Sequence, residues 1–230
     1  METLPDLVAR ARRSDRPALR TADREMDYRR FCTTAWKTSN YLRHLGVGGG
    51  RGVAVLADRS APALLTFLGA ALLDTPTSFA EAPADVAEAI DAVDARAVLV
   101  PSDHEGAIEP PAGTSLVVHG GDPAAATTEN WAEGVWSENP AFVPSTATPD
   151  SIGLVTAEQE VSHGELLDSA ERVAAEADLT EDDAVGFRGS LADPAVVAAA
   201  LAPLVSCSCL VLDGESSRAV DGEVSELSFS

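Results

Sequence analysis

Apolar positions along the chain switch repeatedly between a helical and an extended period. Phe31, Ala35, Thr38, Leu42 and Leu45 fall on one helical face. Asp27 is placed to cap the start of that helix, and Gly46 to end it. Gly52 to Ala57 (GVAVLA) then reads as a buried strand. Ser60 caps a helix through about Leu73 that is apolar nearly all round, as a helix packed inside a layered protein is. Pro76 to Phe79 is a short extended piece. Val86, Ala89, Ile90 and Val93 mark the next helix, with Pro83 at its start. Ala97 to Val100 and Leu116 to His119 are candidate strands.

Residues 120 to 150 break this rhythm. Gly, Pro, Thr, Ala and acidic residues dominate, with Trp131 and Trp136 as isolated anchors, and the stretch predicts a long surface excursion. The pattern resumes with a strand at Ile152 to Thr156 and a helix from His163 to Ala177. A strand at Ala184 to Arg188, a helix from about Pro194 to Ala202 and a strand to Leu212 follow. Residues 213 to 230 are a polar tail with at most a weak strand around Val224 to Phe229. Helices alternating with short, continuously apolar strands predict the α/β class: a layered, mostly parallel β-sheet flanked by helices, in one domain over residues 1 to 230.

Charge changes what such a domain can do. There are 37 Asp plus Glu against 16 Lys plus Arg, for a net charge of −21, and Lys37 is the lone lysine. Self-repulsion on that scale destabilises a compact state at low salt, whereas at 1 M salt the Debye length falls to about 3 Å. This composition resembles that of haloarchaeal cytoplasmic proteins. It also argues against nucleic acid or an anionic membrane as partner. Cys32, Cys207 and Cys209 form neither a disulfide framework nor a C-x-x-C, which fits a reducing cytoplasm. Cys207 and Cys209 alternate in an apolar run and are expected on one buried face. Met1-Glu2-Thr3 opens without the basic and apolar regions of a secretory leader. The 18 uncharged residues from Ala195 to Leu212 approach the length of a membrane span, but Pro203 predicts a turn between a buried helix and a core strand.

Candidate chemistry is sparse. Gly48-Gly49-Gly50 follows a helix and leads into a strand, the reverse of a phosphate cradle, and so reads as a helix stop and turn. Ser162-His163 cannot work as nucleophile and base, because neighbours on a helix do not face each other. Ser162 with Glu165 is a capping box instead. His119-Gly120-Gly121 resembles an oxyanion loop only superficially, since no G-x-S-x-G elbow accompanies it. The histidines at 44, 104, 119 and 163 lack metal spacing. Asp182-Asp183 reads as a solvated loop pair. No catalytic, cofactor-binding or metal-binding residue is assigned, and no cofactor.

Two stretches carry a family resemblance. Residues 27 to 79 (DYRRFCTTAWKTSNYLRHLGVGGGRGVAVLADRSAPALLTFLGAALLDTPTSF) place Tyr28, Leu42, Gly46-Val47, Val53-Ala54 and Leu68-Gly69 as in the opening of the AMP-forming acyl-CoA synthetase family, the adenylate-forming ligases. In residues 150 to 212, DSIGLVT resembles the strand entering that family's phosphate loop, and VSHGELLDSA the helix after it. LTEDDAVG and APLVSCSCLVLD resemble the segment that follows. The resemblance implies the fold of the family's N-terminal part.

The departures imply a lost activity. Where the family carries a Ser/Thr/Gly-rich loop with a lysine for the ATP phosphates, this chain has Thr156, then Ala157-Glu158-Gln159-Glu160, then Val161. A carboxylate about 4 Å from a phosphate charge is repelled by about 1 kcal/mol in water and by several-fold more at a partly buried site. Asp74 replaces a glycine-containing turn, and Gly52 stands where the family has Asp. The chain ends at Ser230, without counterparts of the adenine- and ribose-binding motifs or of the mobile domain with its catalytic lysine. The expectation is a degenerate, non-catalytic homologue acting as a partner or ligand-binding protein, its partner a full-length acyl-CoA synthetase or a second copy of itself. The alternative is one half of a split ligase completed by another chain.

Overall fold

Strand residues alternate between two apolar environments, and that alternation builds the layers. In the computed structural model, which describes residues 1–142, 144–213 and 218–221, the chain runs in order through β1 (Pro17–Arg20), β2 (Glu25–Asp27), α1 (Tyr28–His44), β3 (Val53–Leu56), α2 (Ala61–Leu72) and β4 (Thr77–Ala80). It continues through α3 (Val86–Ala92), β5 (Ala97–Pro101), β6 (Ser115–His119), β7 (Glu129–Asn130), α4 (Trp131–Ser137) and β8 (Ile152–Val155). It closes with β9 (Glu160–Ser162), α5 (His163–Glu176), β10 (Ala184–Arg188), α6 (Pro194–Val205), β11 (Cys209–Val211) and β12 (Arg218–Asp221).

Two sheets form. One has seven strands in the order β7-β6-β5-β3-β4-β8-β9, and the other five in the order β12-β10-β11-β1-β2. Pairing is parallel except at β1–β2 and β8–β9. Val53, Val55, Ala97 and Leu99 point into the larger core with α1, α2, α5, α6 and the second sheet. Ala54, Leu56, Val98 and Val100 point the other way, where Val86, Ala89 and Ile90 of α3 cover them. The fold is the expected layered, mostly parallel α/β arrangement, with helices sandwiched between the two sheets.

Local signals place most elements. The Asp27 carboxylate accepts from Arg30 N–H, and Ser60 Oγ accepts from Ala63 N–H, at the starts of α1 and α2. Helix α1 ends in a Schellman turn: Gly46 has φ 88°, and Val47 N–H reaches back to Leu42 C=O at 3.0 Å. Helices α2, α3, α5 and α6 end the same way, but with Asp74, Asp94, Asp178 and Cys207 in the left-handed position that favours glycine.

Several expectations need correction. Pro203 does not end its helix: α6 continues to Val205, because the apolar helix is held on all sides by the core. Cys207 therefore lies in the helix-ending turn, half-buried, while Cys209 alone is in the buried strand β11. Residues 120–150 contain structure, with β7 extending the large sheet and α4 packing on α1. Trp131 is an anchor whose Nε1 donates to Thr66 Oγ1 at 3.0 Å, but Trp136 is 78% exposed and not an anchor of the core. The polar tail contributes β12, and the weak strand expected at 224–229 lies outside the described residues. No helix among the described residues is long and apolar enough to cross a membrane.

Candidate functional site

In an open parallel sheet, ligands lodge beyond the carboxyl ends of the strands, where successive connections leave on opposite faces. Here α2 after β3 and α3 after β4 lie on opposite faces of the sheet. The crevice above β3 and β4 is a cavity of about 410 Å³ lined by Asp58, Arg59, Glu81 and the Gly189–Leu191 loop. A neighbouring cleft of about 490 Å³ extends from Glu81 past α3 to the Thr156–Gln159 turn and the start of α6. Its charged lining is Glu81, Asp85, Glu88, Glu158 and Asp193, with no cation. Asp85 and Asp193 are occupied by the N–H groups of Ala82 and Ala195, whereas Glu81, Glu88 and Glu158 have no partner among the described residues.

The segment that interrupts the family pattern is a closed hairpin turn. Strands β8 and β9 pair antiparallel, and Thr156 ties the ends together: its N–H donates to Gln159 C=O at 2.9 Å. Thr156 Oγ1 accepts from Glu158 N–H at 3.3 Å and from Gln159 N–H at 3.1 Å. Two amides that a phosphate cradle would turn outward are thus used inside the turn.

The helix that follows is closed as well. The His163 and Gly164 N–H groups donate to Ser151 C=O and Pro149 C=O, each at 2.9 Å. The Glu165 N–H donates to Ser162 Oγ, and the Glu165 carboxylate accepts from both Ser162 N–H and Ser162 Oγ. The first three donors of α5 are therefore satisfied by the protein itself. A helix N-terminus binds anions through such free donors.

Other residues singled out in the sequence are dispersed. Gly48, Gly49 and Gly50 all have positive φ and form a turn bridged between Gly48 and Arg51. His44 pairs with Glu138 at 2.8 Å. Asp182 pairs with Arg16 and is 87% exposed, as a solvated loop residue is, whereas Asp183 accepts from Thr180, lies 3.3 Å from Arg218 and is largely covered. No group of His, Cys, Asp and Glu among the described residues is arranged to hold a metal.

One cluster escaped the sequence reading. Asp58 Oδ1 accepts from Ser60 Oγ at 2.6 Å, and its Oδ2 lies 3.2 Å from Nε2 of the buried His119. The order is wrong for nucleophile activation, because the carboxylate separates the hydroxyl from the imidazole. Ser60 also caps α2, and Asp58 and His119 meet just beyond the end of β3 and at the end of β6. His163 is a different case. It is fully buried with both ring nitrogens unpartnered, against Gly153 and Leu4, and burial pushes its pKa down to about 4.

The layers and the crevice at the strand ends define a ligase-like N-terminal α/β unit. Residues 7–155 match the model of the family described as AMP-binding enzyme, and the chain belongs to that family. The matched stretch ends at the last residue of β8, immediately before the closed turn. Among solved structures the fold resembles a benzoate CoA ligase from Burkholderia xenovorans (TM-score 0.79, 19% identity, 97% of this chain and 46% of that one). It also resembles the anthranilate CoA ligase AuaEII in complex with anthranoyl-AMP (TM-score 0.78, 18% identity, 94% and 45%). A third is the N-terminal domain of FACL13 from Mycobacterium tuberculosis (TM-score 0.76, 17% identity, 92% and 57%). The chain thus spans less than half the length of the first two ligases. No curated protein matches it in sequence.

Proposed function

We propose that this chain is a non-catalytic member of the AMP-binding family that serves as a partner or ligand-binding protein and does not activate acids with ATP. The observation that carries this reading is that most amides where triphosphate contacts would be made are held within the protein: Thr156 Oγ1 holds those of Glu158 and Gln159, and Ser151, Pro149 and Ser162 hold the first three of α5. Three unpartnered carboxylates in the adjoining cleft add repulsion. The composition supports a high-salt cytoplasm as its setting, and a full-length relative or a second copy as its partner.

ATP–pyrophosphate exchange by the purified chain in multimolar KCl is the test. The expected result is no exchange, with ATP binding weaker than about 1 mM by calorimetry. Turnover from this chain alone would sink the proposal. A competing reading, one half of a split ligase, draws support from the retained β8 and α5 that flank the closed turn. Adding cell extract to the purified chain and measuring restored exchange separates the two.

A further inference from the structure

Cations are not spread as carboxylates are. Twelve of the sixteen lie before residue 60, with only seven of the thirty-seven carboxylates. The N-terminal quarter of the chain is net positive and the remainder strongly negative. Part of that positive charge is spent on ion pairs, such as Arg29 with Asp15 and Arg20 with Glu25. At Arg10, Arg13, Arg30 and Lys37 it is not.

The exposed Arg10 and Arg13 both sit over the ring of Trp36, with guanidinium carbons 5.9 and 5.3 Å from its centroid. Phe142 packs edge-on against the same indole. Lys37, the next residue on the helix, places its ammonium 5.2 Å from the Trp136 ring and donates to Trp136 C=O. Arg30 lies two helical turns before Lys37 on the same face and is exposed. None of these four cations has a carboxylate partner among the described residues, in a chain where carboxylates outnumber cations more than twofold. Beside them stands Trp136, which with Met1 makes up the exposed large hydrophobic residues among the described residues.

We propose that this face, built from Arg10, Arg13, Arg30, Lys37 and Trp136, docks a short acidic polypeptide segment of a partner protein. It gives the partner role proposed above a contact surface and rests on that role. Arginine clusters recognise acidic motifs, and Trp with Arg are the residues enriched at binding hot spots. Fixing the guanidiniums on Trp36 lowers the entropy lost when they are engaged. Charge selects the class of partner. A duplex RNA or an anionic membrane extends past the patch and meets the whole net charge of −21, which repels it. A short peptide responds to charges within about one Debye length, roughly 8 Å at 0.15 M salt and about 3 Å at 1 M, and so to the local patch.

The test measures anisotropy of a fluorescein-labelled octaglutamate peptide with the full chain at about 50 mM and about 1 M salt. Binding at the lower salt is expected to fall at least about tenfold in Arg10→Glu/Arg13→Glu, and at least about threefold in Arg30→Glu, which leaves the Trp36 cover intact. Arg51→Glu/Arg172→Glu makes the same change in net charge elsewhere and is expected to alter binding less than about twofold. Circular dichroism checks that each variant is folded. Absence of peptide binding, equal losses in the two double variants, or tighter binding to duplex RNA or phosphatidylserine vesicles would each overturn the proposal. Peptide binding is read without ATP, so failure of the docking face and discovery of ligase turnover remain separate outcomes.

Discussion

Strand β8 with helix α5, and the four-residue turn that precedes β9, stand side by side and obey different rules. The flanking elements retain what a buried scaffold demands: Leu154 and Leu166 are fully buried, and Ser162 and Glu165 form a reciprocal cap. The turn and the first residue of β9, by contrast, carry exposed Ala157, Glu158 and Glu160, and the turn is held closed by Thr156 alone, through its N–H and its hydroxyl. Packing constrains the first strongly and the second hardly at all. A chain can therefore keep a family's architecture while the turn between two of its elements varies, because stability resides in the scaffold.

That contrast can be attacked from both sides. The largest effect is expected at Leu154→Ala, which removes a fully buried side chain from the larger core: about 2–5 kcal/mol of stability lost in chemical denaturation at high KCl. A loss below about 1 kcal/mol would mean that the scaffold is more plastic than its burial implies.

Next comes the histidine that opens α5. Its pKa is about 4 when folded, against about 6.5 for a free imidazole, so the unfolded chain takes up the proton first as pH falls. Stability from this group is complete above pH ~6.5 and declines towards pH ~4 by up to about 1.4 kcal/mol per pH unit. His163→Leu is expected to flatten that slope, measured as denaturation midpoint against pH. An unchanged slope would assign the pH dependence to other groups.

A smaller, opposite change is expected at Asp178→Gly. Asp178 has φ 47° at the C-terminal end of α5, where an L-residue is strained and a negative charge faces the negative end of the helix dipole. Glycine there should stabilise the protein by about 1 kcal/mol, and a destabilised variant would reveal an unrecognised role for the carboxylate. The smallest effect belongs to the turn. Glu158→Gln with Glu160→Gln should shift stability by less than about 0.5 kcal/mol, seen as a nearly unchanged melting temperature. A cost of several times that would make the turn part of the scaffold and erase the distinction.

How much of this was legible follows from the range of the interactions. Asp27, Ser60 and the Ser162/Glu165 pair announce helix starts within four residues, and the chain honours each. Strand β9 left no such trace: Glu160-Val161-Ser162 is an edge strand that buries a single apolar side chain. Pro203 misled because its helix is stabilised by tertiary contacts that no local signal reports. At the site, the composition of the turn was readable, including its missing glycines and its two glutamates. What decides its chemistry was not: that Thr156 Oγ1 takes two amides, and that the distant carbonyls of Pro149 and Ser151 fill the helix donors, depends on three-dimensional closure. The Asp58–His119 contact joins the ends of two strands separated by a third, and sequence spacing says nothing of it.

The five-stranded sheet has a consequence for how the molecule is made. Its strand β1 finds its parallel partner only in β11, with Leu19 opposite Leu210. On the ribosome β1 must therefore wait, one edge open, until the chain has been synthesised as far as β11. The seven-stranded sheet can assemble earlier from strands nearer in sequence. Birth of this protein is thus ordered in two stages, and the N-terminal strand is the piece most in need of protection during the interval.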